Sequence, residues 1–454
     1  MSDPAGDSYS SAKRLTDEPT PKGDDRSDFQ RDRDIILYTS AFKRLSNITQ
    51  VVSSHTGHVF HNRLTHSLQV AQVGRSLAEK RLKLQKELAE AVPLNPQAVE
   101  AGCLAHDLGH PPFGHVAEEV LNEQVGEDAE GFEGNAQSFR IVTELAFRSS
   151  QFSGLNLTRS TLRTILKYPW TFAKRPTGAS GNRNNKWGAY ASALRPFEFA
   201  TGHADGGPAE KSVEAQLMDW SDDLTYAIHD VEDFYRAGLI PLHLLNRPDE
   251  AHGDDRENLR FLGYVHAHRD QIPELNDLTQ EELGKILFDV LFPIFALNVP
   301  YEGTRDHRAR LRIFTSQMVH RYINALQLAE SGDGNIEVRI GDDFKKEIAI
   351  LKQLTWFYVI EAPSLAVQQF AQKKIIEFLF RVFLEEAGKS PCHLLPAYYQ
   401  ERLKEIPTEE PDRGRATKRM VADLIAGMTE AQAVAIYQRL HGMVAGTAFE
   451  KILV

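Results

Sequence analysis

Apolar residues along most of the chain recur at spacings of three and four, a pattern that predicts amphipathic helices. From Asp34 onward, Ile35, Ile36, Leu37, Phe42 and Leu45 form one apolar stripe. Leu64, Leu68, Ala71 and Leu77 do the same around His66, and Val99, Cys103, Leu104 and Leu108 around His106. Both histidines are therefore expected on, or at the end of, a buried helix. Another helix should open near Ser212, with Val213, Leu217, Leu224 and Ile228 on its apolar face. Beyond about residue 277, helical stretches such as FAQKKIIEFLFRVFLEEAG alternate with short Gly and Pro breaks. Strand signals are few; the best are VFH near Val59 and IEVRI near Ile336.

Two segments break the pattern. Residues 1–28 hold Ser, Asp, Gly, Pro and mixed charge with only scattered apolar positions such as Tyr9 and Leu15, too few to offset the entropy of ordering, which predicts a flexible tail. Residues 171–211 are rich in Gly, Asn, Arg and Pro and read as an extended loop, of a length that is usually functional or mobile. The expected architecture is mainly α: a tail over 1–28, a helical core over 29–276 that includes the loop, and a helical C-terminal region over 277–454 packed on the core. A chain of 454 residues exceeds what one hydrophobic core usually serves.

Composition narrows the function. No run approaches the roughly 20 apolar residues of a membrane span, and the N-terminus is polar rather than signal-like, so the expected location is the cytoplasm. Two cysteines, Cys103 and Cys392, supply neither a disulfide framework nor a thiolate zinc site. Lys and Arg number 52 against 63 Asp and Glu, a net charge of −11 that does not advertise a nucleic-acid binder. Histidine is the skewed residue: 7 of 17 (His55, His58, His61, His66, His106, His110 and His115) lie between positions 55 and 115.

The densest chemistry is Ala105-His106-Asp107-Leu108-Gly109-His110-Pro111-Pro112-Phe113-Gly114-His115. An imidazole and a carboxylate on adjacent positions of an apolar helix are costly to bury unless paired or coordinated. Gly109 and Gly114 should end that helix and let backbone approach a ligand closely. A divalent cation would need further ligands, and His66 and Asp222 are available, with Asp223 as a competitor. Two imidazoles and two carboxylates suit Mn²⁺, Fe²⁺, Co²⁺, Ni²⁺ or Mg²⁺ without choosing among them.

RLTHSLQV, AHDLGHPPFGH and DWSDDLTYAIHDVED resemble the metal-binding motifs of the His-Asp (HD) phosphohydrolase superfamily, and specifically its dGTP triphosphohydrolase (dNTPase) group. RDRDIILYTSAFKRLSNITQV, GFEGNAQSFRI, LKYPW and VADLIAGMT extend the resemblance over nearly the whole chain after the tail. It implies an HD-domain helical core and makes His66, His106, Asp107 and Asp222 the metal ligands. The family spacing fits Asp222, Tyr226 and Asp230, which i, i+4 and i+8 geometry keeps near one helix face. The resemblance further implies that Tyr226 packs on the deoxyribose, while Asp230 and Gln50 hold its 3′-hydroxyl. Arg63, His110, His115, Lys167, Tyr168 and Lys186 are the candidates for the triphosphate. Glu133 is the first candidate for the acid that protonates the leaving 5′-oxygen and Glu118 the second, with His110 a further catalytic candidate. Some relatives carry His where this chain has Gly134, so no acid is assigned there.

The implied reaction is metal-dependent hydrolysis of a dNTP, dGTP among them, to deoxynucleoside and inorganic triphosphate. Family members form homo-oligomers such as hexamers, and nucleotide effectors or single-stranded DNA modulate some. The basic run Arg413, Arg415, Lys418 and Arg419 is either such a contact strip or a solvated helix start. Two other readings are a different phosphomonoesterase or phosphodiesterase of the superfamily, and a non-catalytic nucleotide- or nucleic-acid-binding regulator. The presence of all four ligand residues speaks against the regulator.

Overall fold

Several helices, including those that carry the site, begin where the sequence supplies caps. In the computed structural model, which describes residues 10–51, 60–176, 186–245, 257–291, 293, 295 and 299–444, nineteen α-helices and one two-stranded sheet are found among the described residues. The fold is mainly α, as the spacing predicts. No described helix is long and apolar enough to cross a membrane.

Three helices position the chemistry. Arg63–Leu84 starts at Asn62, whose side chain accepts from the Thr65 amide while Thr65 reciprocates, so Arg63 and His66 fall in the buried first turn. Pro96–Ala105 is capped by Asn95, opens on proline and ends at His106. Val213–Arg236 is capped by Ser212 and carries Asp222 mid-length. The three pack against one another. The inward phase of the first differs slightly from expectation. His66, Val70, Val73 and Leu77 are buried with Ala71, whereas Leu68 is 45% exposed.

Gly109 permits a close approach, but to a helix rather than to a ligand. A Cβ there would lie 2.2 Å from the Gly134 carbonyl oxygen and from the Ser138 amide. The Gly134–Arg140 helix thus abuts the His-Asp turn, where Ser138 Oγ accepts from the Gly109 amide at 2.8 Å and donates to the His106 carbonyl at 2.7 Å.

Two apolar clusters form the interior. One runs from Ile36 through Leu77, Phe139, Phe197, Trp220 and Phe261 to Phe314 and Leu354. The other joins Leu121 and Phe132 to Phe380, Phe383, Val421 and Ile425. A boundary at residue 276 therefore cuts the first cluster. The second is built where the His115–Val125 helix packs against Pro363–Ala387 and Asp412–Ala426.

Two local expectations are revised and one is borne out. From residue 10 the N-terminal segment is anchored rather than loose: Arg14 is buried, and its Nη1 donates to Asp32 Oδ1 at 2.7 Å and to the Asn156 carbonyl at 2.6 Å. The 171–211 segment holds a helix, Leu194–Thr201, whose Phe197 is fully buried, while 177–185 lie outside the described residues. IEVRI is a strand, Ile336–Ile340, and pairs antiparallel with Leu326–Glu330, which the pattern did not signal. Val59 lies outside the described residues, and Phe60 and His61 belong to no strand. Cys103 and Cys392 are free thiols.

Asp32 also accepts from the Thr158 amide at 2.9 Å and its hydroxyl at 2.6 Å. Removing one partner of a buried pair leaves the other charge uncompensated. Asp32→Ala is expected to lower unfolding free energy by about 3–5 kcal/mol in denaturant titration; a change under about 1 kcal/mol, the scale of an exposed pair, would refute the anchor.

Candidate metal centre and active site

The three capped helices bring four ionisable groups to one point. His66 Nε2 lies 3.0 Å from Asp222 Oδ1, and His106 Nε2 lies 3.6 Å from the same oxygen and 3.5 Å from Asp107 Oδ1. Ligand-capable atoms of His66, His106 and Asp107 fall within 4.8 Å of one another. His106 Nδ1–H donates to the Cys103 carbonyl at 2.6 Å, which turns Nε2 toward the cluster as the nitrogen that would ligate a metal once its proton is displaced. That Nε2 is buried without a hydrogen-bond partner. A buried polar nitrogen left without a partner is costly, and a cation among these groups, in place of the ring proton, would satisfy it. The donor set fits a divalent metal.

Electrostatics agree. Burial pushes the Asp107 carboxyl up, yet the His106 and Arg63 charges, with the His110 ring nitrogen 3.1 Å away, hold it well below the usual carboxylate range. Asp222 is likewise held low against burial by Lys167, His106 and His66. Burial opposes charge on His106, but Asp107 and Asp222 raise it to about 9. With no metal, a proton stands in for the cation these carboxylates attract, and a metal would displace it.

A cavity of about 560 Å³ opens on this cluster, lined by Gln50, Arg63, His106, Asp107, His110, His115, Lys167, Tyr168, Lys186, Asp222 and Tyr226 among the expected residues. Arg63 Nη1 donates to Asp107 Oδ2 at 2.7 Å, and Lys167 Nζ sits between Asp219 at 2.8 Å and Asp222 at 2.9 Å. Two candidate phosphate contacts thus also hold candidate ligands in place. Asp223 is drawn aside to Lys352 at 2.6 Å. Tyr226 lies beside Asp230, whose carboxyl burial and Asp233 push well above its usual range. Asp230 Oδ2 and Gln50 Oε1 are buried oxygens without hydrogen-bond partners.

The candidate acids separate by environment. Glu133 is the N-cap of the Gly134–Arg140 helix: one oxygen accepts from the Asn135 and Ala136 amides at 2.6 and 3.0 Å, and the other lies 3.0 Å from Lys186 Nζ. Burial raises its carboxyl, but it does not line the cavity; one of its oxygens serves a helix end and the other is paired with Lys186. Glu118 accepts from the Gly134 amide and from Lys186 Nζ, both at 2.9 Å, and its other oxygen lies 2.7 Å from His115 Nδ1. Despite burial, Lys186 and His115 hold Glu118 well below the usual range, so it is ionised and orients His115. Burial and then the Arg63 charge push His110 down to about 4, which leaves it neutral near pH 7. His110, His115 and Glu118 also converge closely enough for a cation, but the Lys186 ammonium already neutralises Glu118.

Several lining residues carry no distinguishing signal in the sequence. Asn135 lies within GFEGNAQSFRI, next to Glu133 and Gly134. Trp356, Ile360, Leu365, Gln369 and Lys373 come from the π-helical turn Trp356–Ile360 and from Pro363–Ala387. Their one signal is Trp356, a large apolar side chain left 45% exposed. His55 and His58 lie outside the described residues. His61 Nδ1 lies 2.6 Å from Asp233 and its ring stacks on His229, away from the metal cluster.

Residues 63–227 match the HD domain and residues 338–439 the phosphohydrolase-associated domain. A Corynebacterium efficiens protein described as deoxyguanosinetriphosphate triphosphohydrolase-like is 35% identical, over 96% of this chain and 98% of its own. A Streptomyces coelicolor protein of the same description is also 35% identical, over 95% and 96%. The chain belongs to this family. A Shewanella sediminis member is 31% identical over 96% and 97%. Like these relatives, the protein is an HD-domain phosphohydrolase, of a fold that works with metal. The HD match holds His66, His106, Asp107, Asp222 and Tyr226, while Trp356, Ile360, Leu365 and Gln369 fall in the associated domain. Both matched regions of this HD phosphohydrolase therefore wall one cavity.

Burial, with His61 beside it, pushes His229 down to about 3. A histidine whose folded value lies below its unfolded one contributes stability above about pH 6.5 that is lost as pH falls. Between pH 7 and 5, His229→Gln should remove about 2 kcal/mol of the wild-type loss of unfolding free energy; identical pH dependence in both proteins would refute it.

Proposed function

We propose that the protein is a divalent-metal-dependent deoxynucleoside triphosphate triphosphohydrolase, releasing deoxynucleoside and intact triphosphate from dNTPs that include dGTP. The carrying observation is the meeting of His66, His106, Asp107 and Asp222 around a buried, unpartnered imidazole nitrogen on a cavity that also presents Arg63, Lys167 and Tyr168. The triphosphohydrolase-like description of its relatives supports the substrate class. The four residues would hold Mn²⁺, Mg²⁺, Co²⁺, Ni²⁺ or Fe²⁺. When bound, such an ion neutralises phosphate charge and lowers the pKa of water.

The remaining steps fall to the chain's own groups. Lys167, Tyr168 and Asn135 offer donors to phosphate oxygens, with Lys186 beside them. Tyr226 and its neighbour Asp230 suit the deoxyribose, with the unpartnered Gln50 Oε1 available to a hydroxyl. Trp356, Ile360 and Leu365 form an apolar wall for a base, and Gln369 can hydrogen-bond its edge. Water attacks the α-phosphorus, the bond to the 5′-oxygen breaks, and a proton must reach that oxygen. His115, held by Glu118, is the donor this geometry favours over Glu133. The working form is a cytoplasmic homo-oligomer.

Incubation of each dNTP with protein and Mn²⁺, resolved by anion-exchange chromatography, should yield nucleoside and triphosphate. Orthophosphate or nucleoside monophosphate would sink the assignment. His106→Ala should lose both bound metal and turnover, and wild-type metal content in that variant would overturn the ligand set.

His115→Ala is expected to lower kcat by about 100-fold or more with bound metal retained, the usual scale of a lost general acid. Glu133→Gln should instead cost about 1 kcal/mol of stability through the weakened helix cap and leave most of kcat. The reverse ranking in kcat would return the acid to Glu133.

A further inference from the structure

Glu430 opens the last described helix, Glu430–Leu440, within the associated domain and more than 300 positions from the motifs it touches. Its carboxylate is buried and fully used. Oε1 accepts from the Thr49 amide at 2.7 Å and the Phe113 amide at 3.2 Å, and Oε2 accepts from the Thr49 hydroxyl at 2.8 Å. Arg44 reinforces the same junction: Nη1 donates to the Met428 carbonyl at 3.1 Å, and Nη2 donates to the Leu108 and His110 carbonyls, each at 2.8 Å.

Both segments that Glu430 grips lead directly to the site. Thr49 precedes Gln50 and is bridged to Asn62, the residue that caps the helix of Arg63 and His66. The Arg63 amide donates to the Ile48 carbonyl at 3.1 Å. Phe113 and Gly114 have φ values of +69° and +60°, and this left-handed pair launches the helix of His115 and Glu118. A bulky residue held at positive φ is strained and persists only where its surroundings over-determine it. A charged acceptor on the Phe113 amide, stronger than a neutral one, supplies that restraint.

We infer that Glu430 is a positioning residue, through which the associated domain sets the Gln50 segment and the Phe113 turn at a fixed separation across the cavity. The inference rests on the proposed reaction for its effect on turnover, but the clamp itself is testable without it. Glutamine should largely preserve the clamp, because Oε1 alone accepts both amides and the Thr49 hydroxyl can turn to accept from an amide nitrogen.

The test compares full-length wild type, Glu430→Ala and Glu430→Gln by hydrogen exchange, bound metal and steady-state kinetics with dGTP and Mn²⁺. In Glu430→Ala, amides in residues 45–51 and 108–114 should exchange faster while the interior of the His66 helix and the bound metal are unchanged. The value of kcat/KM should fall on the order of tenfold to a hundredfold, shared between kcat and KM, as expected when reacting groups are misplaced by about an ångström. Glu430→Gln should recover most of that loss. Unchanged exchange in both segments, loosening spread over the whole molecule, or a glutamine variant as impaired as alanine would each overturn the inference. Localised faster exchange in a protein without triphosphohydrolase activity would support the clamp and defeat only the proposed reaction. Should the alanine variant not fold, Thr49→Val is measured in its place: exchange should rise in 45–51 alone, and no rise would overturn the inference.

Discussion

Two carboxylates taken out of water at one point set the terms for everything around them. Asp107 and Asp222 are held ionised against burial, which requires positive charge at close range. Arg63 on Asp107 and Lys167 on Asp222 supply part of it, and the His106 imidazolium supplies more or yields that place to a metal. The Asn62, Asn95 and Ser212 caps matter for the same reason. They fix where each helix begins, and a shift of one residue would rotate His66, His106 or Asp222 by roughly 100° away from its partners.

The same logic recurs beside the centre and in the C-terminal helices. Lys186 lies between Glu118 and Glu133, so two buried carboxylates share one ammonium and take different tasks: one orients a histidine, the other caps a helix. Further back, Asp423 has no exposed side-chain surface and accepts from Arg140 and Gln137, tying Asp412–Ala426 to the helix that carries Asn135. The cavity is thus bounded by ionic and hydrogen-bonded joints between the two matched regions as much as by apolar packing.

What could be read from sequence was what burial makes expensive. A His-Asp pair in an apolar run needs an explanation, and His66, His106, Asp107 and Asp222 do converge. The IEVRI strand was legible from β-branched alternation, while its partner Leu326–Glu330 has no such alternation. Other features depend on contacts that no local pattern encodes. Arg14 looks like a tail residue until it meets Asp32 and Asn156. Leu68 fits the apolar stripe yet faces out, because the inward phase is set by packing against two helices rather than one. Glu133 looked like an acid because it sits in a matched motif, but a Glu preceding Gly-Asn-Ala is also well placed to cap a helix, and that role uses one of its oxygens while Lys186 takes the other. The Trp356 wall carries no polar motif at all.

The exposure of His115 bears on how the enzyme would recycle. Its side chain is 70% exposed, although the Glu118 carboxylate beneath it is buried. A donor so placed would regain its proton from bulk water directly, with no relay through the interior among the described residues. Under the proposed reaction, reprotonation is therefore decoupled from departure of the triphosphate, and the acid is reset while product still occupies the inner cavity. The buried carboxylate keeps the ring aimed throughout, so that exchange with solvent does not cost the geometry of the next turnover.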